Sequence, residues 1–375
     1  MIVTGETSGE LYGSLLAEAL KKKSPGLRIF GIGGERMRAA GVELISGISS
    51  AFGIAEALSS LRALKQTFRK ASETLEKNRP AVLVLIDYPD FNLKLAALAK
   101  KKKIKILYYV SPQVWAWRRN RVKKIARLVD RMAVILPFEA KIYEDSGLEC
   151  EFVGHPVFDE IRELATEKSE LKKELGLTPD RPLLSLLPGS RPNELDRLLP
   201  VIADVIRDFK REHEEFQLCI PLAPNTDTKK YDRIIEGLRR QGAVINKGES
   251  IKTLAASDFA VVASGTASLQ AVLLGIPIVV IYKLFPLTYW LARKIVQVRH
   301  ISLVNILSGR EIVKELLQEE AASMNIIAEL KKIMDDEHYR EEMRAAFEKV
   351  RGMFAGRQAS DRVADIIIEM AGCKK

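Results

Sequence analysis

Ala81-Val82-Leu83-Val84-Leu85-Ile86-Asp87-Tyr88-Pro89-Asp90-Phe91-Asn92 is the stretch that decides the fold. Six apolar residues follow one another without polar alternation, the pattern of a central strand in a parallel sheet with both faces covered. The run stops at a carboxylate, and helical periodicity resumes over Leu93–Lys102. Ligands on parallel sheets sit at the carboxyl ends of the strands. Asp87, Asp90 and Asn92 are therefore candidates for chemistry. Paired carboxylates suit acid–base work on a hydroxyl nucleophile. The competing explanation is that Asp90 or Asn92 caps the following helix.

Working outward, the same unit repeats. Strand candidates at Ile2–Thr4, Arg28–Gly31, Ile106–Val110, Met132–Leu136 and Glu151–Val153 alternate with helical segments such as Leu11–Lys22 and Leu58–Glu76. A charged stretch and a Thr178-Pro179-Asp180 turn then precede a second series of strands, beginning at Leu183–Leu187, Gln217–Pro221, Ala243–Ile245, Phe259–Ala263 and Ile278–Tyr282. Two βα series predict two Rossmann-like α/β domains, 1–160 and 161–341, with parallel sheets facing a cleft. From Glu311 onward the chain reads as helical and charged, and 342–375 is expected to pack back on the first domain of its own or a partner chain.

Composition narrows the function classes. A net charge of +10 over 375 residues points to acidic partners: phosphates, nucleic acid or an anionic membrane face. Cys150, Cys219 and Cys373 lack paired spacing, and His155, His213, His300 and His338 are dispersed, so neither a disulfide framework nor a metal site is expected. Met1-Ile2-Val3-Thr4 shows no targeting pattern. Phe259–Tyr282 carries no charge, but Ser264-Gly265-Thr266 and Gly275-Ile276-Pro277 cut it into strand, loop, helix, turn and strand.

Further strand-end loops carry the rest of the signal. Gly5-Glu6-Thr7-Ser8-Gly9-Glu10 follows a strand and opens a helix, either as an anion-binding turn or as a structural turn with Ser8 at the N-cap. Between Lys100 and Arg127 there are eleven Lys or Arg and no carboxylate, with Ser111, Trp115, Trp117 and Arg118 at the centre. That stretch suits phosphates beside apolar surfaces, single-stranded nucleic acid, or a solvated helix face. In the second half, Gly189-Ser190-Arg191 and Ser264-Gly265-Thr266 each place a small-residue loop at a helix start, a site for a diphosphate to which Arg191 adds a charge-assisted contact.

On these motifs the chain resembles the bacterial lipid-A-disaccharide synthases, glycosyltransferases of the GT-B fold. Ile86-Asp87-Tyr88-Pro89-Asp90-Phe91-Asn92 and Ser111-Pro112-Gln113-Val114-Trp115-Ala116-Trp117-Arg118 carry most of the resemblance. Leu136-Pro137-Phe138-Glu139, Val153-Gly154-His155-Pro156 and the segment from Gly309 to Glu320 extend it nearly end to end. The resemblance implies transfer from UDP-2,3-diacylglucosamine to 2,3-diacylglucosamine 1-phosphate (lipid X), forming a β-1,6 bond with inversion and release of UDP. No cofactor and no metal are implied. The donor belongs on the second domain, at Gly189, Ser190, Arg191, Ser264, Gly265, Thr266 and Gln270. The acceptor belongs on the first, beside Ser8, Glu10, Asp87, Asn92, Ser111, Trp115, Trp117 and Arg118. Asp90 becomes the base, and Arg191 stabilises the leaving group. Two positions depart from the family pattern: Gln270 stands where a glutamate is expected, and Glu10 where an aspartate is usual.

Acylated substrates imply a cytoplasmic protein held peripherally on the inner membrane. The candidate patch is Ala51–Leu64, with Phe52, Ile54, Leu58 and Leu61 on an amphipathic segment; packing on the sheet is the alternative. A homodimer is left open, and no nucleic-acid partner is expected. The rival functions are another GT-B enzyme, such as a UDP-N-acetylglucosamine 2-epimerase, and a nucleic-acid-binding module.

Overall fold

A computed structural model describes residues 1–47, 56–117, 120–162, 164, 167–286, 288–290 and 299–372, without the side chains of 56–61 and 117. The chain divides into two compact units, Met1–Glu160 with Gly356–Lys375, and Ile161–Ala355. In the first, β1 (Ile2–Val3), β2 (Phe30–Gly33), β3 (Glu43–Gly47), β4 (Val82–Ile86), β5 (Lys105–Tyr109), β6 (Arg131–Val134) and β7 (Glu149–Phe152) form one sheet in the order β3-β2-β1-β4-β5-β6-β7. Every pairing is parallel. All five residues of β4 are buried. Burying each such Val, Leu or Ile contributes about 1.5–3 kcal/mol, which is why this run fixes the centre of the sheet. Leu83 and Leu85 share a core with Phe91, Leu95 and Ala99 of the helix Pro89–Lys101.

The second unit repeats the plan. β8 (Leu183–Leu187), β9 (Gln217–Leu222), β10 (Ala243–Lys247), β11 (Phe259–Ala263), β12 (Ile278–Tyr282) and β13 (Glu315–Leu317) run in the order β10-β9-β8-β11-β12-β13, again all parallel. In each sheet the winding reverses once, between β1 and β4 and between β8 and β11, and the crevices used by ligands open at such switch points.

Two strands lie outside the periodicity-based set. β3 is a partly exposed edge strand, and β13 is a three-residue strand within the region expected to be helical. The tail crosses later than residue 342: helix Glu337–Gly352 belongs to the second unit, and the chain joins the first from Gly356. Helix Ala359–Ala371 packs there against helix Thr7–Lys23. Arg362 forks onto Glu151 at 2.6 and 2.8 Å, Lys105 Nζ donates to the Met370 carbonyl at 2.6 Å, and Lys23 pairs with Asp365 at 2.9 Å. No described helix is long and apolar enough to cross a membrane. The uncharged run Phe259–Tyr282 resolves into β11, helix Thr266–Leu273 and β12.

Candidate active site

At the first switch point, the chain leaves β4 through two consecutive left-handed residues, Asp87 (φ 46°) and Tyr88 (φ 48°). Each non-glycine residue held there costs roughly 1–2 kcal/mol. The neighbourhood offsets this cost. The Asp87 carbonyl accepts from Tyr108 Oη at 2.6 Å and from Asn92 Nδ2 at 2.7 Å, and Asn92 also donates to the Ile86 carbonyl. Asn92 is thus a buried clamp on the strand end rather than a helix cap. Tyr88 takes the N-cap position, stacks on Phe91, and packs against Gly5, where a Cβ would fall 2.3 Å from its ring. The strained turn delivers Asp90 into the first turn of its helix with its carboxylate 78% exposed, and Arg121 Nη2 donates to it at 2.8 Å.

The loop after β5 is strained too, with β-branched Val110 at φ 66°. Ser111 is buried and shares a 2.7 Å hydrogen bond with Tyr143, while Trp115 Nε1 donates to Glu139 at 3.2 Å. Ser8 lies in the first turn of its helix, not at the N-cap, which is Glu6. Glu10 accepts from the backbone N–H of Arg36 at 2.9 Å, so this carboxylate caps the next helix, Glu35–Ala39. Arg118, Phe52 and Ile54 lie outside the described residues, as do the side chains of Trp117, Leu58 and Leu61.

At the second switch point the two loops differ. Two amides expected to meet a diphosphate, those of Ser190 and Arg191, already donate to Glu194 Oε2 at 2.9 and 3.1 Å. Gly189 is required there twice over: its φ is 97°, and a Cβ would fall 2.2 Å from the Glu194 carboxylate. What this loop offers a ligand is the Arg191 side chain, 54% exposed. The Ser264-Gly265-Thr266 loop is open. Gly265 (φ 153°) precedes the helix, nothing would meet a Cβ there, and among the described residues no hydrogen bond engages the amides of Thr266 and Ala267. Helix-start amides of this kind favour anions. Gln270 is buried one turn further on. Ser264 Oγ donates to the Ile301 carbonyl at 2.9 Å, tying the loop to a network that motif reading missed. In that network buried Glu315 accepts from the amides of Ile301 and Ser302, from Ser302 Oγ and from Asn305 Nδ2, all at 2.8–3.0 Å. Cavities of about 360 Å³ beside Tyr339 and about 390 Å³ beside Lys70 are lined by residues of neither switch point.

His155, after β7, is structural. Its ring is buried, Nδ1 accepts from the Val157 amide at 3.2 Å, and Tyr12 meets it edge-on. Burial lowers its pKa to about 3. The unfolded chain, with an ordinary value near 6.5, binds the proton first, so this contribution to stability is complete above that value and is lost as pH falls towards 3. Between pH 7 and pH 5 it removes about 2 kcal/mol. Urea unfolding at the two pH values checks this; an equal loss in His155→Gln would assign the effect elsewhere.

Two parallel sheets with one reversal of winding each, one presenting a carboxylate and the other an open helix start, make this a doubly wound, two-unit α/β protein. Solved structures agree on the fold. An S. aureus MnaA–UDP co-structure superposes with TM-score 0.70 at 12% identity, covering 100% of this chain and 97% of that one. A UDP-GlcNAc 2-epimerase from Neisseria meningitidis bound to UDP-GlcNAc gives 0.68 at 12%, covering 100% and 99%. CalG4, the calicheamicin glycosyltransferase, gives 0.61 at 15%, covering 99% and 96%. The architecture is GT-B, as expected from the sequence. The chain belongs to the lipid-A-disaccharide synthetase family, whose profile matches residues 1–366. Lipid-A-disaccharide synthase of Geobacter metallireducens is 40% identical over 380 residues, covering 100% of this chain and 98% of its own. That of Nitrosococcus oceani is 40% identical over 371 residues, covering 98% and 95%. The family is one of hexosyltransferases, which bears out the resemblance drawn from the motifs.

Proposed function

We propose that this protein transfers the 2,3-diacylglucosaminyl group of UDP-2,3-diacylglucosamine to the 6-hydroxyl of 2,3-diacylglucosamine 1-phosphate, inverting the anomeric centre. The observation that carries this reading is the pairing of Asp90 with Arg121 at the strained end of β4, in a chain of this family. Asp90 takes the proton of the 6-hydroxyl. The O6–C1 bond forms as the bond from C1 to the diphosphate oxygen breaks, and UDP leaves with that electron pair. Arg191 and the Thr266 and Ala267 amides meet the charge that develops on the diphosphate. The basic stretch Arg118–Lys124 holds the acceptor 1-phosphate.

The test is UDP release from the two acylated substrates, with mass spectrometry of the product. A β-1,6 disaccharide 1-phosphate is expected; release without a disaccharide overturns the reading. A 2-epimerase has one point in its favour, His300 next to Ile301, which holds the Ser264 loop. Conversion of UDP-GlcNAc to its C2 epimer would establish that function instead. Acylated substrates also place the enzyme at the cytoplasmic face of the inner membrane, through the segment at 51–64. Co-flotation with anionic vesicles is the expected behaviour, and protein left at the bottom of the gradient removes that part of the reading.

A further inference from the structure

We propose that Glu139 is a positioning residue for the acceptor side: its carboxyl ties the Trp115 indole to the Leu136 amide and so holds the turn Val114–Trp117, which precedes in sequence the helix whose Arg121 meets Asp90. This rests on the function proposed above. Glu139 opens the short helix Glu139–Glu144 after β6 and is 2% exposed. Oε1 accepts from Trp115 Nε1 at 3.2 Å, and Oε2 accepts from the Leu136 amide at 3.1 Å. One turn along the same helix face, Tyr143 Oη reaches Ser111 Oγ at 2.7 Å. The Trp115 ring also meets Phe138 edge-on at 5.3 Å. One short helix therefore holds the loop after β5 at both Ser111 and Trp115. In sequence, that loop precedes helix Arg121–Leu128, whose first residue is the partner of Asp90.

A carboxyl this deep costs several kcal/mol to bury unless its hydrogen bonds repay the loss of water. A leucine would fill the volume without that cost, so a purely space-filling role does not account for the acid. The titratable groups facing it are Asp87 after β4, Tyr143 on its own helix and Cys150 on β7. Burial pushes the Glu139 carboxyl up to about 8.

Glu139→Leu, which keeps the packing, is expected to raise the acceptor KM about tenfold, the loss of one buried hydrogen bond. Donor KM and UDP affinity stay unchanged. Glu139→Gln, which keeps one acceptor oxygen, falls between. The tie itself is read on the Trp115 indole N–H resonance of isotope-labelled protein, assigned by its absence in Trp115→Phe. It loses exchange protection in Glu139→Leu, and in the wild type it moves as pH crosses about 8. An unchanged acceptor KM in folded Glu139→Leu overturns the proposal. So do acceptor and donor KM rising together with a fall in stability. If the wild type turns over neither substrate, the function proposed above fails, while an indole resonance indifferent to Glu139 would overturn the tie independently.

Discussion

Asp90→Asn lowers kcat by about 10²–10⁴-fold while UDP binds as before, the range expected for loss of a positioned general base. The substitution is nearly isosteric, and its amide oxygen can still accept from Arg121, so the 2.8 Å contact that aims the side chain persists. What disappears is the capacity to take a proton from the acceptor hydroxyl. UDP affinity is the internal control, because the residues assigned to it lie in the other compact unit. Steady-state UDP release gives kcat, and calorimetry gives UDP affinity. Turnover within about threefold of wild type would move the base elsewhere, Asp87 being the next carboxylate at the same strand end. A parallel loss of UDP affinity would mark the change as a general lesion.

The parts of this site legible in the sequence are those encoded by continuous burial. β4, β8, β11 and β12 are apolar runs because both faces of each strand are covered, and the loops after β4, β8 and β11 carry the candidate residues. Edge strands lack that signature: Glu43–Gly47 is half in water, and Glu315–Leu317 is too short to show a period. Hydrogen-bond partners distant in sequence leave no periodic trace at all. Glu10 reaches 26 residues ahead to cap a helix, and Asn92 with Tyr108 grips the Asp87 carbonyl from two different elements. Glu194 was legible in principle, since an acid in the first turn after a glycine loop is a known cap for its own amides. Its presence changes the chemistry of that loop from backbone donation to the Arg191 side chain.

Glu315→Ala destabilises the second unit by about 3–5 kcal/mol and weakens UDP binding with it. Four donors converge on this carboxylate, from Ile301, Ser302 and Asn305, and the side chain has no counterpart once truncated. Each buried donor left unmet costs about 1–3 kcal/mol, and water entering the gap recovers part of that. Asn305 extends the damage, because the same amide side chain holds the backbone of Ile312 and Val313 ahead of β13. The link to function is one bond long: the Ile301 carbonyl receives Ser264 Oγ, so loosening Ile301–Ser302 releases the loop whose helix-start amides are assigned to the diphosphate. A two-unit chain need not melt in one step. Calorimetry should therefore show one transition falling by roughly 6–20 °C while the other stays in place. Glu315→Gln should cost less, since its oxygen keeps some of the donors while its amide turns N–H towards another. A destabilised second unit that still binds UDP normally would separate this network from the site; an unmoved transition would deny its structural weight.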